Sequence, residues 1–167
     1  LLTALTCASL SFAQAPPSFS PPSSNPENLT AFGDHIYFCA EDGLHGRELW
    51  RVDLDGNAEL IRDLTPGPDG SELDAFYGFQ GVLYFKYAPI GGGGQLWRTD
   101  GTEEGTTRVH RLGESGGGLL DIVGHSEQHM YLITGDSATS KTLWKSDGTP
   151  EGTSPMLYAG SSSECLF

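Results

Sequence analysis

Basic residues are scarce: nine Lys and Arg stand against 22 Asp and Glu in 167 residues, a formal net charge of −13. A surface that negative repels phosphate backbones and anionic lipid, so nucleic acid is excluded as an expected partner. Solvation of a soluble surface is explanation enough for the acidity. Cysteine is sparse too: Cys7, Cys39 and Cys165 are too few for a disulfide scaffold. No window carries sustained helical spacing, and no apolar run is long enough for a membrane span.

Glycine is plentiful, at 23 residues, with 10 prolines beside it, and 37% of the chain is apolar, enough for one hydrophobic core. Glycine supplies positive φ and proline presets φ for turns, so many tight turns joining short elements are expected. An all-β chain is the natural reading.

The opening segment, LLTALTCASLSFAQA, is apolar and uncharged and ends in small residues at signal-peptidase spacing. Residues 1–13 are expected to be a signal peptide truncated at its start, with cleavage after Ala13 favoured because Pro16 would lie just past the alternative cut. The mature protein is then expected to be secreted or held at the cell surface. Removal of Cys7 leaves Cys39 and Cys165 either to pair in an oxidising compartment or to stay as buried thiols. Residues 14–28, rich in Pro and Ser, read as an extended leader. Asn28-Leu29-Thr30 matches a glycosylation sequon.

From Leu29 onward one step of 47 residues recurs. It separates Trp50, Trp97 and Trp144; Tyr37, Tyr84 and Tyr131; Asp53, Asp100 and Asp147; and Leu49, Leu96 and Leu143. Leu29, Phe76 and Val123 keep the same phase, as do Ile36, Leu83 and Met130. Six columns in register define a repeat whose unit is one supersecondary element. Within the middle unit, LDAFYGF, GVLYFKYA, GQLWRTD and TTRVHRL are short runs rich in aromatic or β-branched residues, each bounded by breakers. The other units scan alike. Four antiparallel strands in about 47 residues is the size of a β-propeller blade. The expected units are about 29–72, 73–119 and 120–160, with a fourth beginning at 161–167.

The columns then have structural work to do. The Tyr and Trp plates suit the space between neighbouring sheets. Asp100 and Asp147 stand where a third strand ends, and Gly101 and Gly148 follow at once. A carboxylate there can accept turn N–H groups while glycine takes the left-handed position, and Thr102 and Thr149 can add hydroxyl bonds.

The phrases QLWRTDGTEEGT, TLWKSDGTPEGT and the weaker ELWRVDLDGN, with IRDLTPGPDGSELDAF and IYFCAEDGLHGRELW, resemble the ELWxxDGT repeat, a hyalin-like family of large exported bacterial proteins. The resemblance covers residues 29 to about 160. It implies a β-propeller on an exported or surface protein, and it carries no agreed activity and no catalytic residues. The departures are Leu54-Asp55-Gly56-Asn57 after Asp53 in the first copy, and Gln95 and Thr142 where Glu is usual. Propellers normally close with roughly four to eight blades, so three units are expected to be part of a ring. Further blades of the same chain, or self-association if the chain is complete, would close it.

Several catalytic patterns fail on inspection. HSEQH places His125 and His129 four apart, but the register puts them at a turn between strands rather than on one helical face, against zinc. IGGGGQ carries no Lys-Ser or Lys-Thr and precedes no helix, so it is no phosphate loop. Asp53, Asp55 and Asn57 alternate as in oxygen-rich calcium loops, yet Leu64 stands where an EF-hand needs its last carboxylate, and a plain turn is favoured over calcium. No cofactor is expected otherwise. Two functions are left: a non-catalytic scaffold or interaction module for a protein or glycan, which is favoured, and a propeller hydrolase or lyase whose central-channel site needs further blades.

Overall fold

A computed structural model describes residues 24–112, 118–135 and 141–159. The expected signal peptide, most of the leader, Cys165 and the expected start of a fourth unit lie outside the described residues.

Among the described residues, twelve strands form three antiparallel four-stranded sheets, and each sheet takes its strands in chain order. The first sheet holds β1 (Glu27–Phe32), β2 (His35–Glu41), β3 (Arg47–Val52) and β4 (Ala58–Arg62). The second holds β5 (Ser71–Phe79), β6 (Val82–Pro89), β7 (Gln95–Thr99) and β8 (Thr107–Arg111). The third holds β9 (Gly118–His125), β10 (Met130–Gly135), β11 (Lys141–Ser146) and β12 (Ser154–Ala159). The fold is all-β. β1 begins at Glu27, so the last two residues of the expected leader run into the first strand. The side chain of Asn28 holds them there, donating from Nδ2 to the carbonyl of Leu73 at 2.7 Å. The amide of the sequon is therefore already engaged.

Short turns set the meander. Gln80-Gly81 joins β5 to β6 with both residues at positive φ, 48° and 77°, the two-residue hairpin geometry whose twist matches that of the strands. Each opening strand bulges early. Asn28 (φ 57°) and Ala75 (φ 52°), 47 residues apart, both sit where the register shifts, and the extra residue increases the local twist.

The sheets stack face to face through their opening strands, β1 beside β5 and β5 beside β9. Burial along the second strands records the order. In β6, Leu83, Tyr84, Phe85 and Tyr87 are all buried, so both faces of the middle sheet are covered. In β10 burial alternates strictly, with Met130, Leu132 and Thr134 inside and Tyr131, Ile133 and Gly135 half-buried, so among the described residues one face of the third sheet is only partly covered. One core lies between the first two sheets: Tyr37, Cys39, Leu49 and Ile61 meet Leu73, Leu83, Phe85 and Tyr87, with Trp97 alongside. The other lies between the second and third: Tyr84, Leu96 and Val109 meet Leu119, Ile122, Met130 and Leu132, with Trp144 alongside. Tyr37 of the first sheet and Trp97 of the second thus lie in the same gap, as do Tyr84 of the second and Trp144 of the third.

Candidate functional site

The turn after β7 is held mainly by its own side chains. Asp100 Oδ1 accepts from the Thr102 N–H at 2.9 Å and from the Thr102 hydroxyl at 2.8 Å. The Thr102 hydroxyl in turn accepts from the Gly105 N–H at 2.9 Å, and the Thr106 hydroxyl donates to the Thr102 carbonyl. Beneath them Thr99 and Thr106 share a buried hydroxyl bond of 2.7 Å. The turn after β11 reproduces these bonds with Asp147, Thr149, Gly152, Thr153 and Ser146. Gly101 and Gly148 take φ 95° and 91°, a region that L side chains avoid. Gly105 is required for another reason: a Cβ there would lie 2.0 Å from Asp100 Oδ1. Hydrogen bonds from the backbone and hydroxyl of Thr102 hold the Asp100 carboxyl below the usual range, and those of Thr149 do the same for Asp147. Asp100→Ala strands the Thr102 N–H and hydroxyl at an exposed turn, where water replaces part of the loss. The expected cost is about 1 kcal/mol in a urea titration.

The first sheet closes its third turn differently. Asp53 Oδ1 accepts from the N–H groups of Asp55 and Asn57 at 2.9 and 2.8 Å, and Oδ2 accepts from Asn57 Nδ2 at 2.9 Å. The hydrogen bonds from Asn57 lower the pKa of Asp53, so its carboxylate form is favoured. Both of its oxygens already point at donors, and Asn57 turns its amide N–H₂, not its carbonyl, inward. A calcium ion would have to displace that network. Thermal unfolding is expected to give the same Tm in millimolar calcium as in chelator, since an ion that binds only the native state must raise it. Among the described residues no cluster of three or more His, Cys, Asp or Glu is placed to hold a metal ion. Of the histidines, His125 meets the Tyr77 hydroxyl through Nδ1 at 2.7 Å, and His45 meets the Asp42 carboxylate at 2.5 Å. Cys39 is a buried free thiol that donates to the Leu73 carbonyl at 3.0 Å, and burial pushes its pKa up.

Three features escape a reading by residue type. The first is Glu48, which is fully buried; its two oxygens accept the N–H groups of Leu64 and Thr65 at 2.9 and 3.0 Å. It ties β3 to the chain leaving β4, and burial raises its pKa to about 7. The second is a cationic column in the same 47-residue step, Arg51, Arg98 and Lys145, each directly opposite the Tyr of its own sheet. The Tyr37 hydroxyl lies beside Arg51 and the Tyr84 hydroxyl beside Arg98, close enough for each pair to interact electrostatically. Arg62 also reaches the second sheet, donating to the Thr106 carbonyl at 2.7 Å. The column itself was the available signal.

The third feature is a cleft of about 480 Å³ between the first two sheets. Glu41, Asp69 and Glu72 line it beside Arg47, with Ile90 at its rim and glycine backbone on its walls. Arg47 is paired with Glu27 at 2.9 Å and lies 3.8 Å from Glu41, so the cleft carries surplus negative charge. The cleft rests on a close pass of backbone: a Cβ on Gly46 would lie 2.3 Å from the Gly70 nitrogen.

No family model matches the chain, and no curated protein matches it.

Proposed function

We propose that the protein is an exported β-propeller repeat module that acts outside the cell or at its surface as a non-catalytic scaffold, binding a protein or glycan. In this reading the three sheets are blades. The observation that supports it best is the recurrence of one set of turn bonds, atom for atom, 47 residues apart in the second and third sheets. Such locked turns and tyrosine joints serve rigidity and leave the loops between them free to vary. The cleft beside Arg47 is where that variation concentrates, because Glu72, Asp69 and Ile90 stand outside the columns that define the unit. Its carboxylates and open backbone suit sugar hydroxyls or a basic segment, and its charge disfavours anions.

The test is a binding screen of the purified chain on a glycan array and on cells of its source. Saturable binding should weaken at least tenfold in the double variant Asp69→Lys, Glu72→Lys, whose side chains are exposed, with Tm unchanged. Binding indifferent to both charges would remove the cleft from the reading. Chemical conversion of the bound molecule would replace the scaffold with an enzyme.

A further inference from the structure

The two outer faces of the stack are not alike, and each matches the inner face it would need as a partner. On the first sheet, Ile36, Phe38 and Trp50 occupy the positions that Leu83, Phe85 and Trp97 hold in the second and Met130, Leu132 and Trp144 in the third. Leu83, Phe85, Met130 and Leu132 are completely covered by the preceding sheet, whereas Ile36 is 39% exposed and Phe38 half-buried. On the third sheet, Tyr131 and Leu143 are half-buried, while their counterparts Tyr37, Tyr84, Leu49 and Leu96 are buried beneath the following sheet. The stack therefore has a direction, with a tyrosine face at one end and a tryptophan face at the other.

At both occupied joints one atom-level fit recurs. The glycine after the turn aspartate presses on the Tyr of the sheet before it, and at the first joint on its cation as well. A Cβ built on Gly101 would lie 2.3 Å from Arg51 Nη1 and 2.9 Å from Tyr37 Oη; one built on Gly148 would lie 2.1 Å from Tyr84 Oη. Tyr131 and Lys145, directly opposite each other on β10 and β11, form the third such seat. Among the described residues, no turn fills it.

We propose that the seat formed by Tyr131 and Lys145 is a docking site for a fourth sheet of the same 47-residue type, joined in tandem, whose third turn reads Asp-Gly-Thr. The first sheet of a second copy does not meet that requirement. Its turn spans residues 53–57, five residues, against seven in 100–106 and 147–153. Leu54, 87% exposed, stands where the glycine is needed. Tandem linkage is also the physically favoured source, because one such joint in trans would have to offset the loss of translational and rotational freedom, whereas a short connector supplies a high effective concentration. The inference does not depend on what the cleft binds.

The test joins a second copy of residues 120–166 directly after residue 166, in place of Phe167, which preserves the 47-residue step. The extension should raise Tm by roughly 5 °C or more and slow amide exchange in β10 and β11. A copy in which the residue equivalent to Gly148 is Asn, which tolerates left-handed φ, should lose that gain. Adding Tyr131→Ala to the same chain should restore part of it, because the space is returned; a purely backbone effect of Asn would not be rescued. Equal gains from the Gly and Asn copies, or no gain from either, overturn the proposal. So does a head-to-tail dimer of the unextended chain in light scattering that Tyr131→Ala abolishes, since the occupant would then be a second copy.

Discussion

Gly70→Ala is expected to cost roughly 3 kcal/mol or more, through left-handed strain and a backbone overlap acting together. Gly70 has φ 63°, and a Cβ there would lie 2.3 Å from the Arg47 nitrogen. That nitrogen belongs to the first residue of β3, so relief requires the first two sheets to move apart at the floor of the cleft. Gly33 is the control, with φ 59° and no atom within 4 Å of a built Cβ. Gly33→Ala should show the backbone term alone, about 1 to 2 kcal/mol. Urea unfolding of both variants measures the difference. Equal losses would mean that the close pass does not hold the joint. A larger loss at Gly70, with the m-value unchanged, would assign the excess to the contact between sheets.

The joint between the second and third sheets is built on the same economy of space with other residues. The Leu119 N–H donates to the Gly94 carbonyl at 2.8 Å, and a Cβ on Gly118 would lie 2.2 Å from the Gly94 nitrogen. Each pair of sheets thus meets through glycine backbone at one end and through tyrosine, cation and turn glycine at the other. Between them lie the apolar cores. Polar contacts at the ends fix orientation, and apolar burial in the middle supplies most of the driving force.

Strands and turns were legible in the sequence because they are local. The run GVLYFKYA becomes β6 with a shift of one residue at each end, and the breakers around GQLWRTD delimit β7 to within a residue or two. The turn bonds of Asp100 and Thr102 follow from residue types four or fewer positions apart. What was not legible is what depends on the other sheet. Arg51 reads as an ordinary exposed strand residue until Tyr37 is seen across from it and Gly101 above it. Glu48 reads as a surface charge, because nothing in RELWRVD says that its side chain turns inward to meet the N–H groups of Leu64 and Thr65. The side-chain bond of Asn28 is of the same kind, since its acceptor is the Leu73 carbonyl, 45 residues away. A 47-residue step fixes that units recur and leaves open which face of each is covered.

Stability should fall by roughly 3 kcal/mol as pH rises from about 4.5 to about 7, through Glu48 alone, at about 1.4 kcal/mol per pKa unit. Its carboxyl has an ordinary value of 4.5 and a folded value of about 7, raised chiefly by burial and by the nearby Asp63 charge, against the two backbone donors and His45. Between those values the folded state holds a proton that the unfolded chain has released. The Glu48 contribution is therefore complete below 4.5 and lost as pH passes 7. The formal charge of −13 works in the same direction, since self-repulsion grows as the remaining acids ionise. Asp53, Asp100 and Asp147 oppose this at the acid end: their depressed values give stability that is lost as pH falls below the ordinary 3.8. The maximum is expected between these limits, near pH 4 to 5. Glu48→Gln separates the terms, because it keeps the shape and removes the titration, and Gln95 already occupies the same position in the second sheet. Urea midpoints from pH 4 to 8 should decline more shallowly in the variant than in the parent. Parallel curves would mean that Glu48 ionises in the fold as it does in water, and that the pH dependence belongs to the net charge.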